Sequence, residues 1–363
     1  MNRAADLIVI ILIWGFLIYL FAPAISSGLG GGEIYEKNGE KSGLLATISD
    51  SFYFGPAEPE TIKEIIILSS DEKDFKNAEI ILNDNIGIFS IEVFPKNHQI
   101  IFASTDSGFL KSEDGGFSWR PFYDLGNKID SKTKIYKTVF KEEKNGVLSF
   151  IAAFKNGKGF VYKSDGNFFF LEKILELDAE AVYDMSVFGD YVYMGLSDGK
   201  ILRYSIKNND FQRINVFSSA IFDIEVKEGG NLIYSVLNNG KFFSSKDGGV
   251  TFINGKIDKL TDFKVSRFND FEIYGGTEKE LIKSSDAGLT WEKLNPLPSQ
   301  KPLISAITLG NKKGEIFASV MNKFYKSEDD GLSWQIYQLP TDKEKEILLI
   351  VLNDDKIIVG INN

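Results

Sequence analysis

The sequence predicts an all-β protein, a seven-bladed β-propeller built from four-stranded blades. Three observations predict it. A short segment recurs six times: FLKS at 109–112, VYKS at 161–164, LRYS at 202–205, FFSS at 242–245, LIKS at 281–284 and FYKS at 324–327. Its last residues lie 52, 41, 40, 39 and 43 apart. Two further strand-like runs precede each copy, and the chain ends on half a unit. Four strands in about 40–45 residues is the arithmetic of a propeller blade.

Taken in order, the first element is N-terminal. Residues 7–32 carry no charge, and 7–21 (LIVIILIWGFLIYLF) are apolar almost throughout. Arg3 precedes the run, which keeps the short tail cytoplasmic and sends the rest across. The run suits an uncleaved membrane anchor, slightly short of a full span. It equally suits a signal peptide cleaved near Ala22-Pro23-Ala24. SSGLGGG at 26–32 then reads as a flexible tether. Residues 1–32 are thus anchor or signal plus tether, and 33–363 the propeller. The expected location is the cell membrane with the propeller outside the cytoplasm, or secretion if the segment is cleaved.

Within each unit the first strand reads as FSIEVF at 89–94, YDMSVF at 183–188 or FDIEVK at 222–227. The second reads as IIFAST at 100–105, YVYMGLS at 191–197 or EIFASV at 315–320. The recurring box segment is the third, and a fourth follows it. Aromatic and β-branched residues fill these runs, with Gly, Asn and Asp between them. No helical period appears beyond residue 32. The last stretch, 346–363, matches only the first two strands of a unit. EIYEKNGE at 33–40 resembles the box region, so the N-terminal side is expected to supply the outer strands of a shared closing blade. That closure removes exposed sheet edges. Residues 48–86 fit the repeat poorly and read as an insertion.

Composition narrows the chemistry. The chain is 43% hydrophobic, enough for a core, and carries a formal charge of -10. An acidic surface repels phosphate backbones, so nucleic acid is not an expected partner. With no cysteine there is no disulfide and no thiolate chemistry. His98 is the only histidine, which closes most routes to zinc binding and to Ser/His/Asp catalysis. It follows Pro95-Lys96-Asn97 in an expected turn and should be solvated.

KSEDGGFSW at 111–119 recurs as KSSDAGLTW at 283–291 and KSEDDGLSW at 326–334. These resemble the Asp-box, the bacterial neuraminidase repeat S-x-D-x-G-x-[ST]-W. Ser112, Asp114, Gly116, Ser118 and Trp119 fit it fully. So do Ser284, Asp286, Gly288, Thr290 and Trp291, and Ser327, Asp329, Gly331, Ser333 and Trp334. A fourth copy, Ser245, Asp247, Gly249 and Thr251, ends in Phe252. A fifth, around Ser164-Asp165-Gly166, is degenerate. The side chains read as structural: Asp and Ser/Thr satisfy turn amides, Gly supplies positive φ, and Trp buries apolar area. Calcium binding through Glu113 and Asp114 is the competing reading, without the twelve-residue loop it usually needs.

Residues 87–362 resemble the Asp-box propellers related to the photosystem II stability and assembly factor, and more distantly the sortilin propeller. The resemblance implies a box face turned away from the ligand and a non-catalytic binding or assembly scaffold. Its expected partner is another protein or a cell-envelope component. Sialidases share the box, so a glycan-active hydrolase is the alternative. Sialidases use an arginine triad, an early arginine in an R-I-P-like motif, and a tyrosine paired with a glutamate. Arg120, Arg203, Arg213 and Arg267 lie in no such motif, and Arg3 belongs to the N-terminal segment. No enzyme activity is expected.

Aligning the first strands places Ser90, Lys137, Asp184, Asp223, Asp262 and Ser305 at one position around the channel. Asp184, Asp223 and Asp262 are 39 residues apart. Converging carboxylates repel unless a cation or a lysine compensates. One reading is a divalent cation or cationic ligand at the channel mouth, with Lys137 nearby and no other cofactor. The other is that each aspartate bonds backbone amides where its strand begins. Asn167-Phe168-Phe169-Phe170 is either an exposed partner patch or a run of alternating burial, the latter being expected.

Overall fold

The computed structural model describes residues 64–69, 75–77, 79–80 and 86–362, apart from 167, 258, 300–302, 340–345 and 355. The expected anchor and tether, 1–32, and the segment 33–40 lie outside these residues. Among the described residues no helix is long and apolar enough to cross a membrane.

Seven sheets follow one another along the chain. Blade 1 consists of Ile88–Val93, Ile101–Thr105, Gly108–Ser112 and Ser118–Phe122, with Glu79–Ile80 parallel to its outer edge. Blade 2 consists of Lys134–Glu143, Gly146–Lys155, Lys158–Ser164 and Glu172–Asp178. Blade 3 runs through Val182–Phe188, Tyr191–Leu196, Lys200–Ser205 and Asp210–Val216, and blade 4 through Ile221–Lys227, Leu232–Leu237, Phe242–Ser245 and Ile253–Asn254. Blade 5 is Leu260–Val265, Ile273–Thr277, Leu281–Ser284 and Glu292–Lys293. Blade 6 is Ala306–Leu309, Ile316–Val320, Lys323–Ser327 and Gln335–Gln338.

Blade 7 closes the ring and corrects two expectations. Its inner strands, Glu346–Asn353 and Lys356–Asn362, come from the C-terminal end, and its outer strands are Glu64–Ser69 and Phe75–Asn77. The outer strands therefore come from the stretch read as an insertion, 48–86, not from 33–40. The reason is physical. EIIILS has no box and no alternation, because successive residues Ile65, Ile66 and Ile67 are all buried. Ile66 packs with Phe317 and Phe324 of blade 6, and Ile65 with Ile101 and Trp119 of blade 1. A strand buried on both faces reads as a continuous apolar run.

The core lies between the blades. Each of the seven junctions has its own cluster of buried side chains drawn from two neighbouring sheets. The second strands are sandwiched most tightly: Leu232–Leu237 and Ile316–Val320 are buried at every residue. Each large aliphatic or aromatic side chain so buried contributes roughly 1.5–3 kcal/mol. The outer strand Asp210–Val216 is exposed along most of its length.

Four box loops share one geometry. Ser112 Oγ donates to Asp114 Oδ1 at 2.8 Å and accepts the Gly116 N–H at 2.8 Å. Asp114 accepts the Ser118 N–H at 2.9 Å and the Ser118 hydroxyl at 2.6 Å. Asp247, Asp286 and Asp329 accept the matching pairs from Thr251, Thr290 and Ser333. At Gly288, with φ +81°, an added Cβ would lie 2.2 Å from Phe242 of the preceding blade, so only glycine fits. Trp119 is buried as expected, and the other two box tryptophans are not. Trp119 is 1% exposed, whereas Trp291 and Trp334 are half-buried at the surface.

One loop departs from expectation, and another, exposed as expected, makes a further contact. Phe168 is buried, while Phe169 and Phe170 are 46% and 74% exposed. They lie in a loop with Phe168 at φ 60°, so strand alternation does not apply. His98 is exposed but tied to the closing blade: its Nδ1 lies 2.6 Å from Asp354 Oδ1, and Asn353 Nδ2 donates to its carbonyl at 2.9 Å.

Candidate binding site at the channel mouth

A repeated bulge shapes the mouth. In six inner strands the register with the second strand slips at one place: Ile88/Ser90, Ile135/Lys137, Val182/Asp184, Ile221/Asp223, Leu260/Asp262 and Ile347/Leu349. A bulge leaves one residue unpaired and re-aims its neighbours. The unpaired residues are Phe89, Tyr136, Tyr183, Phe222, Thr261 and Leu348. The aligned polar residues Ser90, Lys137, Asp184, Asp223 and Asp262 follow them directly. In blade 6, Ser305 stands just before the inner strand and donates its N–H to the Ser319 carbonyl at 3.1 Å.

Over blades 1–4 the unpaired residues are aromatic and form an arc. Phe89 and Tyr136 rings are 4.9 Å apart, Tyr136 and Tyr183 5.0 Å, and Tyr183 and Phe222 5.7 Å. Tilted and edge-on contacts of this kind are favourable beyond area burial. Thr261 and Leu348 do not continue the arc, and a cavity of about 450 Å3 opens there. Its apolar wall includes Phe89, Phe222, Leu303 and Leu348, and Asp223, Asp262 and Glu346 bring carboxylates to it. It opens where inner strands begin. The box loops join third to fourth strands, so antiparallel order puts them at the other end of the blades.

The sequence-aligned charges are not equivalent. Asp184 accepts the Ile224 N–H of blade 4 through Oδ2 at 2.9 Å and faces Lys137 through Oδ1 at 3.4 Å. Asp262 accepts the Ile307 N–H of blade 6 at 2.8 Å and pairs with Lys264 at 2.7 Å. The bonded amides thus belong to the next blade, not to the aspartate's own strand as the second reading expected. Lys137 also pairs with Glu92 at 2.8 Å. Asp223 lies between them and receives no hydrogen bond from the described residues.

The electrostatics follow. Burial opposes the charge on Lys137, but Glu92 and then Asp184 more than offset it, holding its ammonium above the usual lysine range. Lys264 is raised in the same way by Asp262 and Asp223. Burial, then the neighbouring Asp184, pushes the Asp223 carboxyl well above the usual carboxylate range, with Lys264 pulling the other way.

Of the expected residues, Asp223 and Asp262 line the cavity, while Asp184 and Lys137 sit beside it as counter-charges. Among the described residues, no group of three or more His, Asp or Glu side chains is placed to hold a metal ion. The alignment of polar positions passed over the residue before each of them. That residue is aromatic in four consecutive units, a signal present in the sequence.

No family model matches the chain. No curated protein matches it either. Solved structures do. YCF48 from Cyanidioschyzon merolae is similar at 12% identity and a TM-score of 0.59, over 75% of this chain and 95% of that one. YCF48 bound to D1 peptide is similar at 11% identity and a TM-score of 0.56, over 85% and 94%. The extracellular domain of BT4673 from B. thetaiotaomicron gives 15% and 0.56, over 76% of this chain and 37% of that one. At such identities the likeness shows the fold alone, a seven-bladed propeller of four-stranded blades.

Proposed function

We propose that the protein is a non-catalytic binding scaffold whose channel mouth holds a segment of a partner protein. The observation that carries this is the cavity: a mixed apolar and acidic recess on the face opposite the box loops. Such recesses with a few placed polar groups are the usual form of a binding site. One similar propeller was solved with a peptide, which supports a peptide as ligand. A hydrolase fits less well. None of the arginines is among the described residues lining the cavity, and Asp262 is committed to Lys264 and a backbone amide. The uncharged stretch at 7–32 supports a location outside the cytoplasm, at the membrane.

The test is site-specific photo-crosslinking in the native cell, from Leu303 at the mouth and from Leu332 on the box face. A discrete partner adduct from Leu303 alone is expected. Adducts from Leu332 alone, or from neither position, overturn the mouth as binding surface. Release of sugar from envelope glycans by the purified protein, lost in Asp223→Asn, would replace the scaffold with the hydrolase. For topology, protease added outside intact cells should reach the propeller or its tether. Protection until lysis rejects that placement.

A further inference from the structure

We propose that the mouth cavity takes a protonated primary amine on an alkyl stem, the chemistry of a lysine side chain presented by a partner protein. The inference rests on the mouth being the binding surface. Two features define the ligand. The first is the wall. Phe89, Phe222, Leu303 and Leu348 offer apolar surface along which a methylene stem can lie while its charged head goes elsewhere. The second is one unmatched acceptor.

The other channel carboxylates are engaged. Glu92 pairs with Lys137, and Asp184 with Lys137 and the Ile224 amide. Glu225 pairs with Lys227 at 2.8 Å and accepts the Val265 N–H at 3.3 Å. Asp262 pairs with Lys264 and the Ile307 amide. Glu346 also has a partner. Asp223 lines the cavity with no donor on it.

An ammonium suits this because it has three donors and no acceptor. A carboxylate or phosphate ligand would meet like charge from Asp223, Asp262 and Glu346. A calcium ion wants roughly six to eight oxygens, and the oxygens of Asp262 are already taken. Burial and Asp184 favour a protonated Asp223 in the empty site. The groups facing it are Asp184, Asp262, Lys264 and Lys137. An arriving ammonium favours the ionised form, so binding releases that proton and tightens as pH rises.

The experiment is calorimetric titration of the purified full chain with Nα-acetyl-lysine N-methylamide. Its norleucine counterpart has the same stem without the charge. The lysine compound should bind at least about tenfold more tightly than the norleucine one, and Asp223→Asn should remove that margin. Leu303→Lys, a folded control that places an ammonium on the wall in cis, should compete and weaken binding similarly. Binding heats should change with the ionisation heat of the buffer, reporting the released proton. Equal binding of the norleucine compound, undiminished binding by Asp223→Asn, or no binding of the lysine compound overturns the inference. So does calcium or magnesium chloride binding that excludes it. If Leu303 crosslinks a partner while the amine does not bind, this inference falls and the scaffold role stands.

Discussion

Asp184 on the inner strand of blade 3 holds the backbone N–H of Ile224 on the inner strand of blade 4, at 2.9 Å. The residue is 8% exposed. Asp262 does the same for Ile307 two blades further on. These two aspartates, 78 residues apart on equivalent strands, therefore act as latches between blades, not as free charges. Between two latched aspartates stands Asp223, which has the same place in the repeat and no amide to hold. The inner strands need such latches because their channel-side amides have no sheet partner there.

The latch makes the first prediction. Asp184→Ala should cost about 1.5–3 kcal/mol, because it orphans the Ile224 amide and leaves Lys137 with Glu92 alone. Asp184→Asn keeps an acceptor for the amide and should cost less. Urea unfolding checks it. The midpoints should fall in the order wild type, Asn, Ala at similar slope. Equal midpoints for all three would remove the latch.

The second prediction separates the box tryptophans. Trp119 is fully buried among Ile65, Ile101 and Leu110 and donates its Nε1–H to the Gly116 carbonyl at 2.8 Å. Trp119→Ala should destabilise by about 3–5 kcal/mol. Trp291 is half-buried at the surface and packs edge-on against Phe242 at 5.2 Å. Its alanine variant should cost clearly less. Thermal melting of both variants is the check, and equal losses would show that exposure does not set the cost.

The fold was legible because the box turn and the second strand are local patterns. Ser112, Asp114, Gly116 and Ser118 bond one another within seven residues, so their spacing announces the hairpin. The closing strand was not legible. Ile65–Ile67 pair with Ile358–Gly360 across nearly the whole chain, and nothing in EIIILS names that partner. The site was half legible. Repeat spacing aligned Asp184, Asp223 and Asp262 correctly, but which aspartate finds an amide depends on neighbouring blades. The cavity depends on Thr261 and Leu348 falling where four earlier units carry aromatics, which is visible only once the bulge is known.

A third prediction follows from the closure. A chain lacking residues 55–85 loses the strands that cover Lys356–Asn362. It would expose an open edge together with the apolar faces that Ile65 and Ile66 bury. Open edges with apolar faces associate. The deleted chain should elute from size exclusion as oligomers or aggregate, while wild type of the same preparation does not. A deleted chain that stays monomeric with unchanged melting would show that blade 7 stands on two strands.

The fourth prediction sets two carboxyl groups against each other by sign. Asp247 accepts from the Thr251 hydroxyl and then the Thr251 amide, which lowers its carboxyl from an ordinary 3.8 to about 2. A lowered folded value adds stability above pH 3.8, lost as pH falls through about 2. Asp223 is raised instead, first by burial and then by Asp184. A raised folded value adds stability below the ordinary 3.8, lost as pH rises through the folded value. At neutral pH the unfolded chain ionises this carboxyl freely while the buried site resists it, so the folded state loses stability there. Asp223→Asn should melt higher than wild type at neutral pH, and the gap should close in acid. Asp247→Asn should melt lower than wild type at neutral pH, and its gap should also close in acid. Melting curves of the three proteins from about pH 1.5 to 8, without added amine or metal, distinguish the cases. An Asp223→Asn protein that melts below wild type at neutral pH would mean that the carboxylate is held by donors, and the unmatched acceptor on which the amine site depends would not exist.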